Sequence, residues 1–69
     1  MATIYTIVAL PDRALPEHML ARARLLCREE LLRAGVANEA SITFKPIVRR
    51  YHEESETFYQ ELCAIGEAA

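Results

Sequence analysis

The stretch that decides the fold is PEHMLARARLLCREELLRA, residues 16–34. At about 100° per residue it predicts an amphipathic helix. Pro16 suits the start of this helix, and Gly35 suits the left-handed cap that follows many helices. We expect Glu30, the one charged residue in the apolar arc, to reach solvent or an arginine such as Arg49. The arc expected to face the core contains Met19, Leu20, Ala23, Leu26, Cys27, Leu31 and Ala34.

The same predicted helix carries a second, narrower apolar stripe on nearly the opposite side, made of Ala21, Leu25 and Leu32. An ordinary surface helix is polar there. One explanation is that these leucines are simply exposed, or covered by the C-terminal segment. The other is an interface with a second copy or another protein. That interface is predicted to contain Leu25, Leu32, Ala21, Arg22 and Arg28.

The length of the chain makes association plausible on energetic grounds. Its 69 residues predict one domain, 1–69, and a domain near 60 residues buries only about 60% of its unfolded surface. Cys27 and Cys63 form no CxxC motif, and MATIYTIVAL lacks the basic start of a secretory signal. We therefore expect free thiols in a reducing cytoplasm. Without disulfides, self-association is the simplest remaining support.

Two further segments read as strands. Thr3–Leu10, TIYTIVAL, is almost continuously apolar, which predicts a strand with much of both faces covered. Ser41–Tyr51 predicts a second strand, and Pro46 requires it to be an edge strand or to be bulged. In this second strand Ile42, Phe44 and Val48 are expected to point toward the helix, while Thr43, Lys45, Arg49 and Tyr51 point away.

The C-terminal segment fits two patterns. As a helix capped by Ser55 and stopped by Gly66, it places Phe58, Tyr59, Leu62, Cys63 and Ile65 on one side. As a strand following an acidic turn, residues 52–56, it alternates Phe58, Gln60, Leu62 and Ala64 with Tyr59, Glu61, Cys63 and Ile65. The helical pattern is cleaner. The predicted fold is α+β, a small single-layer sheet packed by one long helix, in the order β-α-β and then a C-terminal helix; the alternative is β-α-β-β.

Charge is distributed unevenly along the chain. Residues 1–50 hold all eight cations and five acids, a net +3, whereas residues 51–69 hold five acids and no lysine or arginine, a net −5. This asymmetry favours pairing between copies or internal ion pairs.

A basic and aromatic cluster, Arg49, Arg50, Tyr51 and His52, makes nucleic-acid binding the alternative function. Four helix arginines, Arg22, Arg24, Arg28 and Arg33, would extend its field. Against it, those arginines divide between two flanks of the helix, and the pI of about 5.6 is low for a nucleic-acid binder.

Catalytic chemistry has little support in the sequence. Cys27 with His18 or His52 is the available nucleophile and base pairing, but Cys27 lies on the arc expected to be buried. Zinc ligation by these three residues and Cys63 would lack the short paired spacings of zinc sites. We predict no catalytic, cofactor-binding or metal-binding residue, no enzyme activity, and no membrane span.

The sequence thus predicts a small non-enzymatic cytoplasmic protein that interacts with proteins, as an adaptor, inhibitor or regulator. It is expected to form a homodimer, or to dock on another protein, through the helix. Chains of this size without a catalytic constellation are common among accessory proteins of bacteria and phages, which is the expectation for its origin.

Overall fold

The run TIYTIVAL forms the first strand, β1 (Thr3–Leu10), as its β-branched and aromatic residues predict. The computed structural model describes residues 2–68. This described part of the chain is α+β, with one α-helix and four strands. After β1 come α1 (Glu17–Arg33), a 3₁₀ turn (Glu39–Ser41), β2 (Thr43–Phe44), β3 (Val48–His52) and β4 (Thr57–Glu67).

β4 is the central strand of a single antiparallel sheet. β1 pairs with one side of it over eight residues, from Thr3 opposite Glu67 to Leu10 opposite Gln60. β2 and β3 share its other side, with β2 opposite residues 64–65 and β3 opposite residues 57–61. The hairpin from β3 to β4 turns through residues 53–56, where Glu56 adopts a left-handed φ of 54°.

The predicted C-terminal helix is wrong, and the strand alternative is correct. A helix would have left the eight-residue β1 without its neighbour in the sheet. As a strand, β4 satisfies backbone groups on both of its sides and buries Leu62, Ala64 and Gly66 against α1 and the turn after it. Gly66 is therefore not a helix stop but a buried strand residue.

The second predicted strand is broken at Pro46 into β2 and β3, at the edge of the sheet, as the proline requires. Phe44 lies opposite Ala64, and Val48 lies opposite Glu61. An advance of four residues along this edge therefore corresponds to an advance of only three residues along β4. This extra residue is a bulge, which reverses the two faces beyond it. Ile42 and Phe44 pack toward the core as predicted, but Val48 does not.

The same bulge overturns two further orientations. Arg49 lies opposite Gln60 and Tyr51 opposite Phe58, so both share the face on which Leu62 packs against α1. They were predicted to point away from it. Thr43 and Lys45, which precede the extra residue, are exposed as expected.

α1 lies across β1 and β4 and buries Ala23, Cys27 and Leu31, the centre of the predicted arc. Leu26 was expected in the core but is 44% exposed, because it lies at the margin of the arc, about 100° from Cys27 on the helical wheel. Ala34 is also exposed, since the helix has ended there. Leu10, Val36, Leu62 and Ala64 complete the core.

The end of α1 follows the predicted chemistry. Gly35 takes a φ of 112°, a conformation that favours glycine. The Val36 amide donates to the Leu31 carbonyl at 3.0 Å and the Gly35 amide to the Leu32 carbonyl at 3.2 Å, which is the Schellman pattern. The turn thereby places Val36 in the core beside Gly66.

Gly66 should not tolerate a side chain, because a Cβ there would lie 2.8 Å from Cγ2 of Val36 and 3.0 Å from its Cγ1. We expect Gly66→Ala to lower the free energy of unfolding by about 1–3 kcal/mol, the usual cost of overpacking. Urea unfolding followed by circular dichroism measures it.

Val36→Ala supplies the matched background for this test. Removing the two methyl groups makes room, so Gly66→Ala should cost at least about 1 kcal/mol less in Val36→Ala than in the natural chain. An equal cost in both backgrounds would show that the contact with Val36 is not the reason for the glycine.

Candidate functional site

One face of the sheet is uncovered in the described chain. Alternation along β1 directs Ile4, Val8 and Leu10 toward α1, and therefore its odd-numbered residues away from it. We call the surface opposite α1 the open face. Its side chains are Thr3, Tyr5, Ile7 and Ala9 from β1, Thr57, Tyr59, Glu61, Cys63, Ile65 and Glu67 from β4, and Lys45, Val48, Arg50 and His52 from the outer edge.

The open face is too apolar for a face that meets only water. Antiparallel sheets that are wet on one side usually carry polar residues there. Here Tyr5 is 67% exposed, Ile7 47% and Val48 41%, and Ile65 and Cys63 are half-buried between them. The near-continuous apolarity of β1 predicted cover on both faces, and within residues 2–68 only one face is covered.

A shallow groove of about 440 Å³ crosses the open face. It runs between β1 and the bulge, with Tyr5 and Ile7 on one side and Pro46 and Val48 on the other. The bulge therefore does more than end the pairing of β2, because it directs Val48 into this groove. Cys63 contributes to the lining from the middle of the central strand.

Charges on the open face balance. Nε of Arg50 lies 3.2 Å from Oε2 of Glu61, and the hydroxyl of Thr3 donates to Oε1 of Glu67 at 3.2 Å. Lys45 has no carboxylate within 4 Å among residues 2–68. Two cations thus accompany two carboxylates around an apolar centre.

The predicted helix interface lies on the solvent side of α1. Leu25 is 52% and Leu32 42% exposed, and Ala21 and Arg22 beside them are also exposed. The C-terminal segment does not cover them, because β4 packs against the opposite side of α1.

Arg28, the fifth residue predicted for that interface, is held within the chain. Its guanidinium lies 5.1 Å from the centre of the Phe44 ring, and its Nε is 3.9 Å from Oε1 of Glu39. The structure therefore leaves the leucine stripe available but draws Arg28 toward the sheet.

The four residues predicted to contact nucleic acid do not share one surface. They alternate along β3, with Arg49 and Tyr51 on the side of α1 and Arg50 and His52 on the open face. Arg50 pairs with Glu61, as above, and Nδ1 of His52 lies 2.9 Å from the Ser55 hydroxyl. The cluster that is compact in sequence is thus divided in space.

Arg49 is also occupied. Its Nε and Nη2 donate to the two carboxylate oxygens of Asp12 at 2.9 and 2.8 Å, a bidentate pair, and its guanidinium lies 3.8 Å from the centre of the Phe58 ring. The Arg49 hydrogen bonds hold the pKa of Asp12 below its ordinary value of 3.8. The pair ties β3 to the loop after β1.

The candidate nucleophile is placed in the core. Cys27 is on the buried side of α1, and burial, with a smaller effect of Cys63, raises the pKa of its thiol above the ordinary value. A neutral buried thiol is a poor nucleophile. Glu30, the acid in the apolar arc, pairs with Arg33 at 2.9 Å and not with Arg49.

Two findings bear on metals and membranes. Within residues 2–68 no group of three or more His, Cys, Asp or Glu side chains is placed to hold a metal ion. In the same range no helix is both long enough and apolar enough to cross a membrane.

The Asp12–Arg49 pair gives a pH-dependent prediction. Because the pKa of Asp12 is lower in the folded chain, its ionised form stabilises the fold above pH 3.8, and this stabilisation is lost as the pH falls through the lowered pKa. The free energy of unfolding should therefore fall in Asp12→Asn at neutral pH, and the difference from the natural chain should shrink in acid.

Urea unfolding at a series of pH values measures this difference. Glu54→Gln is the matched control, since Glu54 has no basic side chain within 4 Å among the described residues. A constant difference for Asp12→Asn down to the acid limit, or an equal effect of Glu54→Gln, would contradict the assignment.

Comparisons of the chain with models of protein families, with curated proteins and with solved structures find no match.

Proposed function

We propose that this chain is a small non-enzymatic protein-interaction module that self-associates, with a second copy packed on the open face. The observation that supports this most directly is the exposure of Tyr5, Ile7 and Val48 around a groove in a chain of 69 residues. A sheet covered by a helix on one side leaves the apolar side chains of its other side in water. A second layer removes that cost.

The area of the open face suits a second copy. With 11 residues in β4, the face is about 36 Å long at about 3.3 Å per residue, and three strands side by side make it about 14 Å wide. Two such faces together bury roughly 1,000 Å², which reaches the lower limit for a specific interface. Side chains at the rim of the two faces would add to this buried area.

Charge also favours a copy of the same chain. The open face holds Lys45 and Arg50 against Glu61 and Glu67, so two copies meet without a net repulsion. A two-fold arrangement is self-complementary, because the same surface of each copy meets its equivalent on the other. A strongly acidic or basic partner would instead meet charges of its own sign.

The helix stripe is the weaker candidate for self-association. Leu25 and Leu32 are separated by two turns and flanked by charged residues, whereas the open face combines a groove with several adjoining apolar side chains. We retain the helix stripe as a surface on which another protein docks. Through it the chain would act as an adaptor, inhibitor or regulator. Nucleic-acid binding, the other prediction, has the less support because Arg49 and Arg50 are paired internally.

Ile65→Lys tests the proposal. Ile65 lines the groove and is not part of the buried core, so the variant should fold while a charge blocks the face. Light scattering after gel filtration should give more than one copy for the natural chain, and half that mass or less for Ile65→Lys. Circular dichroism checks that the variant is folded.

Leu25→Glu combined with Leu32→Glu is the control on the opposite surface, and it should leave the mass unchanged. The proposal fails if the natural chain is a monomer at the concentrations used, or if the helix variant dissociates it and Ile65→Lys does not.

Cross-linking gives a second and more local prediction. Cys63 lies near the middle of the central strand, and a two-fold contact centred on the open face brings the two Cys63 side chains together. A short bis-maleimide reagent should link two copies of the natural chain through Cys63. Cys27, which is buried, should remain unlinked.

The same reagent should link neither Cys63→Ser nor Ile65→Lys, because the first lacks the thiol and the second lacks the contact. Linking that persists in Ile65→Lys at the same rate would place the contact between copies elsewhere.

A further inference from the structure

The outer edge of β1 is unpaired in the described chain. β1 pairs only with β4 among residues 2–68, and α1 packs on its face and not along its edge. An eight-residue strand therefore presents a row of backbone groups to solvent.

The hydrogen bonds show which groups those are. The Ala68 amide donates to the Ala2 carbonyl at 2.8 Å, and the Lys45 amide donates to the Cys63 carbonyl at 2.9 Å. Even-numbered residues of β4 thus bond toward β1, and odd-numbered ones toward β2. With Thr6 opposite Ala64, the even-numbered residues of β1 point their backbone groups inward. The outward groups belong to Thr3, Tyr5, Ile7 and Ala9.

The two edges of the sheet are built differently. The β2 and β3 edge contains a proline, a bulge and three basic side chains, Lys45, Arg49 and Arg50, all of which discourage pairing with another chain. β1 contains no charged residue, no proline and no glycine. Only one edge is protected, which singles out the other as a pairing edge.

We infer that the outer edge of β1 pairs antiparallel with the same edge of a second copy. The strand is complementary to itself: about a two-fold axis at Thr6, Tyr5 lies opposite Ile7 of the second copy, and Thr3 opposite Ala9. The four outward N–H and four outward C=O groups then satisfy one another. No like charges are brought together, because β1 has none.

Edge pairing makes one continuous sheet from two copies, with both helices on one side. It also joins two open faces into a single apolar surface twice as large. Edge pairing does not depend on the face contact proposed above, but the two are compatible. Together they give four copies, as two extended sheets packed face to face.

Ile7→Pro tests the edge without disturbing the bonds inside a subunit. The Ile7 amide points outward, so proline removes one hydrogen bond between copies for each subunit, two in the pair, and none between β1 and β4. Ile7→Ala is the matched control, because it shortens the side chain and keeps the amide. We expect Ile7→Pro to have half the mass of Ile7→Ala in light scattering.

Pairing these changes with Ile65→Lys separates the two interfaces. Ile65→Lys retains the edge and should leave two copies, whereas adding Ile7→Pro to it should leave one. If the face contact is absent, Ile65→Lys has the same mass as the natural chain, and Ile7→Pro still halves it.

Hydrogen exchange followed by nuclear magnetic resonance measures the edge in the natural chain, in case Ile7→Pro does not fold. The amides of Tyr5, Ile7 and Ala9 should exchange at least about tenfold more slowly than unpaired exposed amides. Exchange of these amides at the unpaired rate, or equal masses for Ile7→Pro and Ile7→Ala, overturns the inference. So does slow exchange that appears only after another protein is added.

Discussion

The eight-residue pairing of β1 with β4 is the interaction on which the rest of this structure depends. It joins the two longest strands, and it fixes which residues of each face α1. Leu62 and Ala64 come under the helix only because this register places them opposite Val8 and Thr6. A shift by one residue would exchange them with Glu61 and Cys63 and leave a carboxylate in the core.

The bulge at Pro46 is the second constraint, and it explains why the two faces of the sheet differ in character. Without the extra residue, Val48 would lie under α1 and Arg49 would lie on the open face. With it, Val48 adds to the groove, and Arg49 reaches Asp12 and the Phe58 ring. The single inserted residue thus makes the open face more apolar, because it adds Val48 to this face and moves Arg49 to the other.

Local chemistry in the sequence was sufficient to predict β1, the bounds of α1, its Gly35 cap and an edge strand at Pro46. Residues 56–65 were assigned wrongly because they fit a helical period as well as a strand period. What decided between them was the need of β1 for a partner almost 60 residues away, which no local pattern contains. The predicted orientations of Val48, Arg49 and Tyr51 were wrong for a related reason, because a strictly alternating pattern does not reveal an inserted residue. The open face was missed as a candidate because it exists only when the C-terminal segment is a strand.

The place of β4 in the chain has a consequence for folding. The central strand follows α1, β2 and β3 in sequence, and each of the strand pairs found among residues 2–68 includes β4, so the sheet cannot be completed before residues 57–67 are made. Until then β1 has no partner strand, and the apolar residues of β1 and α1 that pack on β4 stay accessible to chaperones. Closing the sheet requires contacts of long sequence separation, which slow folding relative to helical proteins of this length. Synthesis and folding of this small protein are therefore expected to be consecutive events.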